Sequence, residues 1–184
     1  LLSKKFTKLM KIINTKFKDL KIIQNFKFSD NRGYFQELAR ENEIIKKFPF
    51  RIMSFSKKNV LRGMHLQTKR AQGKYISVLK GEIMDVVVDL REESKTFKKI
   101  FIAKLSEKNS KSIYVPPGFA HGFYTLAKEN YVVYSCTKYR SAKHEICINW
   151  RDADLNIPWP CKKPIISKRD SEGITLKELL NLLV

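Results

Sequence analysis

Cysteine and histidine are scarce in this chain of 184 residues, with three of each, and tryptophan occurs only twice. Cys136, Cys147 and Cys161 form no C-x-x-C pair, and an odd number cannot pair off internally. That argues against a disulfide framework and for a reducing, cytoplasmic setting. His65, His121 and His144 leave few parts for a metal centre. No window approaches the roughly 20 consecutive apolar residues that span a bilayer, so we expect no membrane partner. The first eleven residues mix Leu and Phe with four lysines. They lack the apolar run and small-residue cleavage site of a secretory signal, and residues 1–10 read as an N-terminal extension with Met10 as a natural start.

Acid is also in short supply, 18 Asp and Glu against 37 Lys and Arg, for a net charge of +19. Such a balance invites a nucleic-acid reading, because clustered cations release counterions from phosphates. The excess is nearly all lysine and is spread along the chain from Lys4 to Lys177, with no nucleic-acid motif. We therefore expect an anionic small ligand and no nucleic acid. The length suits one domain with one proper core.

Short apolar or alternating runs recur at residues 20–28, 34–39, 52–56, 75–79, 83–90, 100–105, 112–115, 119–126, 131–137 and 145–148. They are rich in Val, Ile, Phe and Tyr, which suit a pleated, half-buried surface, and turn residues separate them. This predicts an all-β fold whose many strands close into a jelly roll or barrel to hide their edges. Helix is expected only near residues 41–47 and at 175–183. There Thr175 and Glu178 form a capping box ahead of Leu176, Leu179, Leu180 and Leu183. The jelly roll is placed at 11–174, within a single domain.

Chemistry must come from few residues. His65 lies between Arg62 and Gln67, with Lys74 nine residues on. Charged groups inside a small barrel cost several kcal/mol when unpaired, so their joint placement on neighbouring strands points to a site. A metal-binding cupin would use an H-x-H motif, but the position two after His65 is Gln67, a poor ligand. A set made of His65, His121 and one acid is a weaker arrangement, and the site reads as free of metal and cofactor. In the run from Tyr131 to Tyr139 the odd positions share a face, with Tyr134 on the other. A tyrosine beside a base in a cavity is a candidate proton donor.

Taken in order, the motifs are Ser29-Asp30-Asn31-Arg32-Gly33-Tyr34-Phe35-Gln36-Glu37, Val60-Leu61-Arg62-Gly63-Met64-His65-Leu66-Gln67 and Gln72-Gly73-Lys74. They continue with Asp85-Val86-Val87-Val88-Asp89-Leu90-Arg91, Pro117-Gly118-Phe119-Ala120-His121-Gly122-Phe123, Trp159-Pro160 and Ser167-Lys168-Arg169-Asp170. This series resembles the dTDP-4-dehydrorhamnose 3,5-epimerase family, from about Asp19 to Asp170. The resemblance implies a cupin-type jelly-roll homodimer that works without metal or redox cofactor. It implies inversion of C3 and C5 of a nucleotide-linked 4-keto-6-deoxy sugar or heptose for surface polysaccharide.

The resemblance also implies roles. His65 matches the family's base, Asp170 the carboxylate that orients it, Lys74 the cation near the C4 oxygen and Tyr134 the proton donor. Arg32, Glu37, Arg62, Gln72, His121, Tyr139, Glu145 and Arg169 match positions near the sugar and diphosphate. Arg169 stands where relatives often carry Lys, and residues 51–56 replace a polar segment that relatives place near the nucleotide. The base is left open among dTDP, GDP and CDP. A single-carbon epimerase and a non-catalytic nucleotide-sugar-binding cupin are the alternatives.

Overall fold

Alternation of apolar and polar side chains turns these runs into strands that are buried on one face, and the faces meet. The computed structural model describes residues 10–44 and 46–183. In chain order the strands are β1 (Met10–Asn14), β2 (Lys21–Asn25), β3 (Lys27–Asp30), β4 (Gly33–Gln36), β5 (Phe50–Lys57), β6 (Leu61–Gln67) and β7 (Lys74–Lys80). They continue with β8 (Glu82–Asp89), β9 (Ile100–Ser106), β10 (Lys111–Val115), β11 (Phe119–Thr125), β12 (Glu129–Cys136) and β13 (Glu145–Cys147). Three short helices are α1 (Glu41–Ile44), α2 (Lys168–Ser171) and α3 (Leu176–Leu183).

One sheet runs β1-β2-β10-β7-β12-β5 and a second β13-β6-β11-β8-β9, while β3 and β4 form a separate hairpin. Every named pair is antiparallel. Ile76, Val78, Ile113, Val115 and Val132 of the first sheet meet Ile83, Val87, Leu105, Phe119 and Phe123 of the second in a shared core. This is the expected all-β jelly roll.

β8 reads as a continuous apolar run because both of its faces are covered. Ile83 and Val87 point into that core, while Val86 and Val88 pack under Leu155, Ile157, Leu176 and Leu179. The C-terminal leucine stripe thus covers the outside of the second sheet. Its capping box is present: the Glu178 N–H donates to Thr175 Oγ1 at 3.1 Å, and the Thr175 N–H donates to Glu178 Oε2 at 2.7 Å.

Two strands and one helix lie outside the predicted runs. β1 is a half-exposed edge strand, and β6 carries Arg62, His65 and Gln67, which break the alternation that announces a strand. α2 is a single turn, too short to show a period. The expected extension at residues 1–10 lies outside the described residues apart from Met10, which opens β1.

β6 and β11 approach so closely that a Cβ on Gly63 would stand 2.5 Å from Gly122 Cα. With φ at +125°, Gly63 also occupies a conformation that side chains rarely adopt. The register shifts beside this crossing, and His121 faces His65 across the strand pair.

Candidate active site

Between the two sheets, at one end, lies a pocket of about 280 Å³. The second sheet supplies Arg62 and His65 from β6, His121 and Phe123 from β11, and Glu145 from β13. The first sheet supplies Lys74 from β7, Tyr134 and Cys136 from β12, and Phe50, Ile52 and Ser54 from β5. Gln72, Arg140 and Arg169 complete the lining.

His65 is anchored from 105 residues away, its Nε2 lying 2.8 Å from Asp170 Oδ1. Ser167 caps the turn of α2 by accepting the Asp170 N–H, which fixes the carboxylate. Asp170 Oδ2 accepts the Gly63 N–H at 3.2 Å. Burial works to raise the Asp170 pKa, but the His65 bond and charge, with the Gly63 and Ser167 bonds, hold it below its ordinary value. An ionised Asp170 keeps the ring proton on Nε2, which leaves Nδ1 with the free lone pair. Cys147, the cross-strand neighbour of His65, rests its Sγ 3.9 Å from Asp170 Oδ1. Burial and the Asp170 charge push this thiol up to about 12.

A second pair stands beside the first. His121 Nε2 lies 2.7 Å from Asp85 Oδ2, with both side chains buried. Asp85 Oδ1 has no hydrogen-bond partner among the described residues. Among the described residues, no metal-like set joins His65, His121 and an acid. The donor atoms that do gather are those of His65, Cys147 and Asp170, all within 4.8 Å of one another.

The opposite wall differs in chemistry. Burial raises the Tyr134 phenol well above its usual value, with the Ser54 hydroxyl 3.5 Å away acting against that shift. Its ring meets His121 edge-on, with centroids 6.3 Å apart. Lys74 pairs across the strands with Cys136. Desolvation lowers its pKa, and the nearby charges of Cys136, Glu145 and Asp85 oppose that.

At the rim Glu145 binds two arginines. Arg140 reaches it in a fork at 2.8 and 2.9 Å, and Arg169 at 2.6 Å. Burial would raise Glu145, but the Arg140 bond and the charges of His65, Arg140 and Arg169 prevail and hold it at about 2. Arg62 braces β5 by donating to Ser56 Oγ at 3.0 Å and to the Phe55 carbonyl at 3.1 Å.

The residues singled out from sequence separate into two groups. His65, Lys74, Tyr134, Arg62, Gln72, His121, Glu145 and Arg169 line the pocket, with Asp170 directly behind His65. Tyr139, Arg32 and Glu37 do not line it. β12 ends at Cys136, so Tyr139 does not continue the face of Tyr131 but lies exposed against Phe50. Arg32 sits exposed at the turn of the β3–β4 hairpin, paired with Asp30, and Glu37 follows that hairpin and binds Arg40. Arg140, Ser54, Phe123 and Cys136 were missed. Arg140 sits in a loop and declares itself only through Glu145.

The dTDP-4-dehydrorhamnose 3,5-epimerase family model matches residues 14–178. An enzyme of that name from Neisseria gonorrhoeae is 41% identical over 90% of this chain, which spans about half, 52%, of that relative's length. Another, from Methanothermobacter thermautotrophicus, is 37% identical over 91% of this chain and 95% of its own. The crystal structure of a dTDP-6-deoxy-D-glucose-3,5-epimerase from Legionella pneumophila, in complex with dTDP-4-keto-L-rhamnose, superposes with a TM-score of 0.89. It is 37% identical, over 95% of this chain and 97% of that one. The jelly roll and nearly the whole length of the sequence are thus shared with known nucleotide-sugar epimerases, and this chain belongs to the dTDP-4-dehydrorhamnose 3,5-epimerase family.

Proposed function

We propose that this protein inverts C3 and C5 of a dTDP-linked 4-keto-6-deoxy sugar, supplying a precursor of surface polysaccharide. The observation that carries the reading is the division of the pocket. A carboxylate-oriented histidine stands on one sheet, and a tyrosine phenol with a lysine side chain stands on the other.

The C4 ketone acidifies the protons on both neighbouring carbons. His65 removes one through Nδ1, and the imidazolium that forms is stabilised by Asp170. Charge then develops on the C4 oxygen, where Lys74 in its protonated form offers a positive charge and a hydrogen-bond donor. Tyr134 returns a proton from the other wall. Its raised pKa keeps it protonated at neutral pH, as a donor must be. A donor and an acceptor on opposite walls account for inversion.

Arg140 and Arg169, held by Glu145, give the diphosphate a planar cationic rim, and Arg62 and Gln72 add polar contacts. His121 orients the sugar. Arg32 and Glu37 keep their proposed place at the substrate only if a second copy brings its hairpin to this pocket, so the active form is a homodimer. No helix among the described residues is long and apolar enough to cross a membrane. The free thiols suit the cytoplasm, where nucleotide sugars are made.

The test is NMR in heavy water with dTDP-, GDP- and CDP-linked 4-keto-6-deoxy sugars. Deuterium at both C3 and C5 of the dTDP-linked product is expected. Label at one carbon would leave a single-carbon epimerase, preference for GDP or CDP would revise the nucleotide, and no exchange with any of them would leave a binding protein.

A further inference from the structure

We propose that His65, Cys147 and Asp170 form a binding site for a thiophilic divalent cation such as Zn²⁺, and that occupancy switches off the base. The donors are imidazole Nε2, thiol Sγ and carboxylate Oδ1, all within 4.8 Å of one another. A Cys–His–carboxylate set matches zinc, whose bonds run about 2.0–2.1 Å to nitrogen, about 2.0–2.2 Å to carboxylate oxygen and about 2.3 Å to sulfur. Two such ligands on a tetrahedral ion stand roughly 3.3–3.8 Å apart. Cys147 Sγ and Asp170 Oδ1, at 3.9 Å, lie just outside that spacing and need only a small closing movement. The His65–Asp170 contact, at 2.8 Å, opens by about half an ångström, as expected when an ion takes the place of a shared proton.

The scaffold limits how these atoms can escape one another. Cys147 and His65 are register partners on adjacent strands, and both Cys147 and Asp170 are buried. Asp170 keeps its Oδ2 bond to Gly63 while Oδ1 turns to the ion. His65 is open enough, at 25% side-chain exposure, for an ion to enter from the pocket. Solvent supplies the fourth ligand.

The consequence for the reaction follows from the tautomer. In the resting pair Nε2 carries the proton and Nδ1 the lone pair. When Zn²⁺ takes Nε2, the ring proton moves to Nδ1, the Cys147 proton leaves to solvent, and the neutral ring no longer accepts a proton from substrate. Turnover then falls while the sugar-binding surface stays intact, so kcat drops at an unchanged KM. This inhibitory half rests on the epimerase reading, and the binding site itself does not.

Cobalt(II), a spectroscopic substitute for zinc, provides the test. Titrating the full-length protein with Co²⁺ should produce a near-ultraviolet thiolate-to-cobalt band that Zn²⁺ displaces. Cys147→Ser and Cys147→Ala should both lose it, and Cys161→Ser should keep it. Zn²⁺ should lower kcat of the wild type reversibly, with EDTA restoring it, and the concentration for half-inhibition should rise at least tenfold in Cys147→Ser. No band in the wild type, or one that survives in both Cys147 variants, overturns the site. Loss of the band with unchanged zinc inhibition overturns the switch alone. A protein inactive on every nucleotide sugar would sink the epimerase reading and leave the cobalt result to decide the site.

Discussion

Two His–Asp pairs have their histidines on neighbouring strands of one sheet, with nearly equal bond lengths, 2.8 Å in His65–Asp170 and 2.7 Å in His121–Asp85. They differ in access. The His65 side chain is 25% exposed and that of His121 4%, with Asp85 fully enclosed. The more open His65 can exchange a proton with a ligand, whereas His121, on the wall of the same pocket, is all but sealed and keeps Asp85 as its partner. The same two residue types thus make a base in one place and a strut in the other, and burial decides which.

Truncating each pair should break different properties. His65→Ala should lower kcat by about 10³-fold, near 4 kcal/mol at the barrier, with little change in thermal melting. His121→Ala should show the reverse emphasis. It leaves Asp85 buried and unpaired, so we expect a loss of about 3 kcal/mol in urea unfolding, together with weaker substrate binding. If His65→Ala melts far earlier than His121→Ala, the assignment of strut and base is inverted. Asp170→Asn should cost about 10²-fold in kcat, because the amide no longer fixes the ring proton on Nε2. Kinetics across pH would show it as a changed profile and not only as a lower plateau.

The fold was largely legible because most strands have one buried face, and alternation records that directly. β6 was hidden for a functional reason: Arg62 and His65 put polar side chains where a strand facing only core would place apolar ones. The link between His65 and Asp170 spans 105 residues and leaves no local pattern, so family resemblance alone joined them. Arg140 escaped notice because a loop arginine acquires meaning only when β13 brings Glu145 beneath it. Arg32 and Glu37 match the family by sequence yet lie outside this pocket, since a motif records where a residue sits along the chain and not which copy it serves.

A further carboxylate, partly buried at the rim of the pocket, extends the comparison with the smallest expected effect. Glu145 has no histidine partner at bonding distance but is gripped by Arg140 and Arg169, and its pKa falls to about 2 from an ordinary 4.5. Because the folded value lies below the unfolded one, the ionised form stabilises the fold fully above about pH 5. That contribution is lost as the pH falls through the interval toward 2. The two arginines are nearly half exposed, so solvent screening trims the gain to the order of 1–2 kcal/mol. Glu145→Gln should therefore unfold at lower urea than the wild type at pH 7, and the gap should narrow steadily until the two curves meet near pH 2. A gap that stays constant across that range would mean that Glu145 holds the rim by packing and hydrogen bonding rather than by charge. The rim would then belong with the sealed pair, as structure, and the diphosphate would need its cations from elsewhere.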